Sequence, residues 1–198
     1  MTKKKFAFHE NFCRVQIIAT TLANQFNSAI YKIPSLRPIN ESDQRPPKID
    51  VANCSVYPYT SSTGEMAGIL VENFLKGKFV KYNGNNGFLN KDADENASNI
   101  SLNCGVALFT DFLQAFSHWT YVRTDQKLIL CDLQGVLNQE GRRPRFQLTD
   151  PVICSNKRKS KIRRPYGRTD LGLRGIRSFT KNHKCNIVCR CLGLPKIY

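Results

Sequence analysis

Asp132, Gln134 and Asp150 together offer the hard oxygens that a magnesium ion and a phosphate group require. Asp132 ends the apolar run Leu128-Ile129-Leu130-Cys131, Gln134 follows two residues on, and Asp150 stands beyond a basic loop. An acid at the tip of a buried strand can project into a cleft and avoid the cost of full burial. There it could orient an attacking hydroxyl while its neighbours hold a metal against phosphates, which is the chemistry of phosphoryl transfer. The same residues admit a plainer role, with Asp132 as a turn residue before Gly135 and Asp150 as a cap before Pro151.

A second constellation is His183-x-Cys185-x3-Cys189. Two cysteines four apart share one face of a helix. As thiolates they could grip one tetrahedral zinc, with His183 as a third ligand. A fourth ligand must come from elsewhere, and His9 and His118 are the remaining histidines. The competing role is a core stripe, because Cys185, Val188, Cys189 and Leu192 also repeat at buried-helix spacing.

The elements that must position these groups follow from periodicity. Val15, Ile18, Ala19, Leu22 and Phe26 predict an amphipathic helix over 13–27. The Pro-rich stretch 31–48 reads as loop. Two short strand-like runs flank a Thr63-Gly64 turn between Val56 and Phe74, and residues 77–89 read as a strand followed by a tight Asn/Gly turn. Residues 90–103 are polar and expected to be mobile. Phe109, Phe112, Leu113 and Phe116 mark a second helix ending near His118 and Trp119, and 127–131 reads as a strand. The basic run 156–164 reads as a surface loop. Asp170 is expected to cap a helix that follows, and the glycines at 167, 172 and 175 fit a turn with close backbone packing better than a phosphate cradle. A last short helix is expected around 185–192. The class is α+β.

Composition narrows the partners. Thirty Lys and Arg against fifteen Asp and Glu give a net charge of +15 in 198 residues, which favours anionic partners or a solvated basic surface. No apolar run reaches membrane-spanning length, and the basic start lacks the apolar core of a secretory signal. A cytoplasmic location is expected, with the eight cysteines as free thiols or metal ligands rather than disulfides.

Taken in order, LVENFLKGKFVKYNGNNGFL, QAFSHWTYV, LILCDLQGV, LTDP, DLGLRGI and FTKNHKCNIVCRCLGL resemble the alpha-type protein kinases. The branch they look most like contains elongation-factor-2 kinase and myosin-heavy-chain kinase, and RVQIIATTLANQFN followed by PPKIDV is similar to that branch's N-lobe helix. The resemblance implies a two-lobed kinase-like fold forming a single catalytic domain over 1–198, with 1–75 a partial N-lobe and hinge and 76–198 a zinc-braced C-lobe. It implies ATP between the lobes, Mg²⁺, structural Zn²⁺ and phosphorylation of Ser or Thr in a protein substrate. It makes Asp132 the catalytic acid, Gln134 and Asp150 the magnesium-binding positions and Glu72 an adenine-binding position. It makes His118, His183, Cys185 and Cys189 the zinc ligands.

Two departures from the family pattern set further expectations. GRTDLG carries Asp170 where the family has Asn, and the added charge is expected to weaken phosphate or peptide contact. The first N-lobe strands are expected to be missing, with Lys3, Lys4 or Lys5 a remnant of the strand whose lysine pairs with ATP phosphates. The competing functions are a truncated, catalytically impaired kinase-like module that acts by binding, and a basic zinc-containing nucleic-acid binder. No groove-reading or base-stacking motif favours the latter.

Overall fold

In a computed structural model, residues 2–93, 99–156 and 165–197 are described here. The chain opens with a long helix, α1 (Thr2–Lys32), then a single 3-10 turn at Pro34–Leu36. The strands are β1 (Lys48–Val51), β2 (Cys54–Thr60), β3 (Met66–Glu72), β4 (Phe79–Lys81), β5 (Ile100–Leu102) and β6 (Gly105–Ala107). After α2 (Phe109–Arg123) come β7 (Leu128–Cys131), β8 (Gln134–Asn138), β9 (Arg145–Thr149) and β10 (Val152–Ser155). Helices α3 (Leu173–Asn182) and α4 (Ile187–Cys191) close the chain.

One sheet has the order β1-β9-β8-β4, with β1 parallel to β9 and the other pairs antiparallel. β2 and β3 form a hairpin, β5 and β6 a short second one, and β7 pairs antiparallel with β10. The β7–β10 ribbon explains why LILC is apolar without alternation. Successive side chains of a strand point to opposite faces, and both faces of this ribbon are covered. Leu128, Leu130 and Ile153 enter the main core, while Ile129, Cys131, Val152 and Cys154 enter a smaller one with Ile176 and Phe179 of α3.

Aromatic contacts dominate the main core. Phe26 of α1 lies 5.1 Å from Phe116 and 5.6 Å from Trp119 of α2, in tilted and edge-on geometry. The Tyr82 and Phe109 rings both meet Phe146 edge-on. Asn27, buried in α1, donates to the Ile49 carbonyl at 2.8 Å and accepts from its N–H at 2.9 Å, which fixes the helix against β1.

Several sequence expectations need correction. α1 starts eleven residues early, so the backbone of Lys3, Lys4 and Lys5 is helical and not a strand remnant. α2 does not stop at His118 but runs to Arg123, and His118 lies fully buried inside it. Residues 100–102 form a strand, while 94–98 and the basic run 157–164 fall outside the described residues. α4 begins only at Ile187, so Cys185 precedes it. Asp170 does not cap α3 in the usual way, since Gly172 holds the N-cap position. Among the described residues no helix is long and apolar enough to cross a membrane.

Two glycines allow close approach. Gly175 lets α3 settle on β10, because a Cβ there would come within 2.2 Å of Cys154 Sγ. Gly135, at φ +152°, lets β8 lie against β9, where a Cβ would sit 2.0 Å from the Gln147 carbonyl oxygen. The clash is with backbone and the φ is a glycine one. Gly135→Ala should therefore destabilise the fold by about 3 kcal/mol or more. For a chain of this size that lowers the melting temperature by roughly 6–12 °C, readable by calorimetry.

Candidate functional site

The site assembles where strands end. β4, β8 and β9 carry Lys81, Gln134 and Thr149 as direct cross-strand partners, so the three side chains share one face of the sheet. Asp132 and Asp150 follow the ends of β7 and β9, and both sit in the left-handed region, at φ 59° and 47°. Asp tolerates that conformation better than most residues, and such backbones gather at functional sites. Lys81 Nζ forms an ion pair with Asp132 Oδ1. The Glu72 carboxylate joins the row from β3: Thr149 Oγ1 donates to Glu72 Oε2 at 2.6 Å, and Gln16 Nε2 donates to Glu72 Oε1.

Electrostatics bind the acids into one unit. The Asp150 carboxyl is raised above the usual carboxylate range, first by burial, then by the charges of Asp132 and Glu72, with Lys81 pulling the other way. Asp132 and Asp150 are thus neighbours across one small space. Three carboxylates facing one ammonium leave net negative charge in a protein that is otherwise strongly basic.

Backbone contacts hold the turn that carries Asp132. Asn83, fully buried, accepts from the Leu133 N–H at 2.9 Å and donates to Ser117 Oγ of α2 at 3.2 Å. Tyr82 N–H donates to the Leu133 carbonyl at 2.8 Å. Lys81 and Asn83 did not stand out in the sequence. The only trace of them was the segment VKYNG itself, and the register that sets Lys81 beside Gln134 is not written there.

The Asp170 expectation is overturned. Its carboxylate is fully buried and accepts from Ser155 N at 2.9 Å, Ser155 Oγ at 2.6 Å and Gly172 N at 2.8 Å. It faces inward and fastens the α3 entry to β10. The added charge is therefore spent on main-chain and hydroxyl donors, where a carboxylate makes strong hydrogen bonds.

The second constellation closes behind α2. One ligand atom from each of His118, His183, Cys185 and Cys189 lies within 4.8 Å of the others. His183 Nε2 is 3.2 Å from His118 Nδ1, Cys185 Sγ is 3.8 Å from His118 Nδ1, and Cys189 Sγ is 3.6 Å from His183 Nε2. Ordinary zinc bond lengths in a tetrahedron give N–N and N–S edges of about 3.3 and 3.6 Å. The quartet thus has the size of a zinc shell. His9, the other candidate, approaches Gly68 of β3 instead. Asn186 sets the Cys spacing: its Oδ1 accepts from Cys189 N–H at 3.0 Å, capping α4, and its Nδ2 donates to the Asp111 carbonyl at 2.9 Å.

Residues 1–189 match the alpha-kinase family. The chain is 38% identical over 124 residues to the alpha-protein kinase vwkA of Dictyostelium discoideum, covering 63% of this chain and 16% of that protein. It is 32% identical over 151 residues to eukaryotic elongation factor 2 kinase of Mus musculus, covering 76% of this chain and 17% of that one. The alpha-kinase domain of myosin-II heavy chain kinase A, solved in complex with AMP-PNP, superposes with a TM-score of 0.66 at 26% identity, covering 96% of this chain and 58% of that one. The chain thus spans about a sixth of these curated relatives.

Without metal, burial pushes the Cys189 thiol up to about 12, and burial with the neighbouring His118 brings His183 down to about 4. Zinc must displace thiol protons, so its affinity should fall as pH falls, on the order of tenfold to a hundredfold per unit below neutrality. Elemental analysis should return about one zinc per chain at neutral pH. In the metal-free protein the low His183 value means the unfolded chain binds more protons between pH 6.5 and 4. Stability should therefore drop as pH falls through that window, as acid titration of the melting temperature will test.

Proposed function

Because this chain belongs to the alpha-kinase family, we propose that it transfers the γ-phosphate of ATP to serine or threonine hydroxyls of a protein substrate in the cytoplasm. The observation that carries this reading is the convergence of Asp132, Gln134, Asp150 and Glu72 beside the Lys81 ammonium.

Each side chain has a task in this reading. Asp132 orients the acceptor hydroxyl and takes up its proton. Lys81, paired with Asp132, keeps that carboxylate turned into the cleft and offers positive charge to the oxygens of the moving phosphoryl group. Gln134 and Asp150 hold magnesium, for which their oxygen donors are suited. The carboxylate charge that raises Asp150 is charge a divalent cation would offset. Bound magnesium supplies neutralisation of the ATP phosphates. Thr149 and Gln16 hold Glu72, so its carboxylate is already engaged. The adenine ring is then met by main-chain groups of the segment from Glu72 onward. His118, His183, Cys185 and Cys189 hold a structural zinc, since four protein ligands leave no open coordination position.

Purified protein should phosphorylate Ser/Thr peptides only with magnesium present. Asp132→Asn should lower the rate by roughly 10²–10⁴ with an unchanged melting temperature. Lys81→Met should also lower kcat, because its charge is wanted in the transition state. Equal turnover by wild type and Asp132→Asn would overturn the enzymatic reading and leave a kinase-like module that acts by binding.

A further inference from the structure

A cavity of about 380 Å³ lies away from the acids, between the C-terminal end of α1, the loop 37–46 and the loop joining β8 to β9. Four arginines line it: Arg37, Arg45, Arg142 and Arg143. All four are exposed, and among the described residues none is paired with a carboxylate. Among the described residues Glu41 is the one acid in the lining. The accessible apolar groups of the lining are Ile39, 60% exposed, and Tyr31, 69% exposed, which lie over the buried Ile30 and Leu36.

The walls are already built. Arg45 N–H donates to the Arg142 carbonyl at 2.8 Å and Lys48 N–H to the Pro144 carbonyl at 2.9 Å, tying the loop to the hairpin. Asn103 N–H donates to the Arg37 carbonyl at 2.9 Å. Asn40 and Asp43 close a turn between them through Asn40 N–H to Asp43 Oδ2 at 2.9 Å. A pocket with fixed walls loses little freedom when filled. Thr149 and Arg145 are four residue steps apart along β9, about 13 Å, so the cavity is at the opposite end of the β8–β9 hairpin from the acids.

We propose that this cavity docks an acidic peptide segment carrying an apolar side chain. Unpaired guanidinium groups match carboxylates with two-pronged hydrogen bonds. The exposed Ile39 side chain suits an aliphatic or aromatic partner, and nucleic-acid phosphates have no use for it. Among the described residues Tyr31 is the single aromatic in the lining, whereas single-stranded nucleic acid is held on several stacked rings. The docking claim does not depend on catalysis.

Fluorescence anisotropy at about 150 mM salt tests it, with a labelled nonapeptide of Asp and Glu around a central Phe-Leu pair. Controls are the same peptide with Gly-Gly at the centre, a Lys-for-acid version and oligouridylate RNA. Wild-type protein should bind the first peptide in the micromolar range and the Gly-Gly and Lys versions at least about tenfold more weakly. Arg142→Glu with Arg143→Glu should weaken the first by at least about tenfold, while Arg177→Glu with Lys127→Glu, of equal charge change, should not. Arg37→Gln with Arg45→Gln, on the facing loop, should repeat the loss and decides the matter if the hairpin variant misfolds. Absent binding, equal loss in the Arg177/Lys127 control, indifference to the Phe-Leu pair, or tighter binding of the RNA would each overturn the proposal.

Discussion

Like charges held close together against their mutual repulsion are the constraint on which this molecule's site depends. Glu72, Asp132 and Asp150 act on one another's charge, and among the described residues the ammonium paired with them is that of Lys81. Left to themselves, carboxylates this near would separate or take up a proton. The fold prevents separation by fastening each to packed elements, with β9 serving both Glu72 and Asp150. Glu72 is fixed by Gln16 of α1 and Thr149 of β9, Asp132 by Lys81 of β4, and Asp150 by the end of β9. The remaining negative charge is of the sign that a bound divalent cation would offset.

The two constellations are mechanically joined. Ser117 and His118 are adjacent in α2. Ser117 Oγ accepts from Asn83, Asn83 accepts from the residue after Asp132, and His118 faces the quartet with His183. Thr120, one turn later, accepts from the Leu130 N–H at 3.0 Å. A buried side chain such as Asn83 is costly if left unpaired, so these bonds specify where the β7–β8 corner lies. A metal that locks α3 and α4 onto α2 would thereby stiffen the helix on which the Asp132 turn hangs. A metal held there would thus act on the acid cluster through packing and hydrogen bonds alone.

Much of this was legible in the sequence, and the exceptions have physical causes. The apolar run LILC announced a buried strand, and the acid after it announced a strand end. The quartet's spacing carried three candidate ligands, and a fourth had to be sought on an apolar helix. Lys81 was not legible because its importance comes from register: only pairing β4 with β8 sets it beside Gln134 and Asp132. The early start of α1 was missed because Lys3, Lys4 and Lys5 open the segment, although Phe8 and Phe12 continue the spacing of Val15, Ala19, Leu22 and Phe26. Asp170 was misjudged because a charged residue in a glycine-rich segment suggests solvent, whereas three donors on β10 and the α3 entry drew it inside. The arginine-lined cavity is non-local too, since its walls come from sequence segments a hundred residues apart.

The central claim is that the acid cluster is a magnesium–nucleotide site. Isothermal titration of ATP into the protein, with and without magnesium, tests this most directly when wild type and Asp150→Asn are compared. The account predicts that magnesium strengthens ATP binding to wild type and that Asp150→Asn loses most of this enhancement while keeping its fold. ATP binding that ignores magnesium in the wild type, or no ATP binding at all, would contradict it.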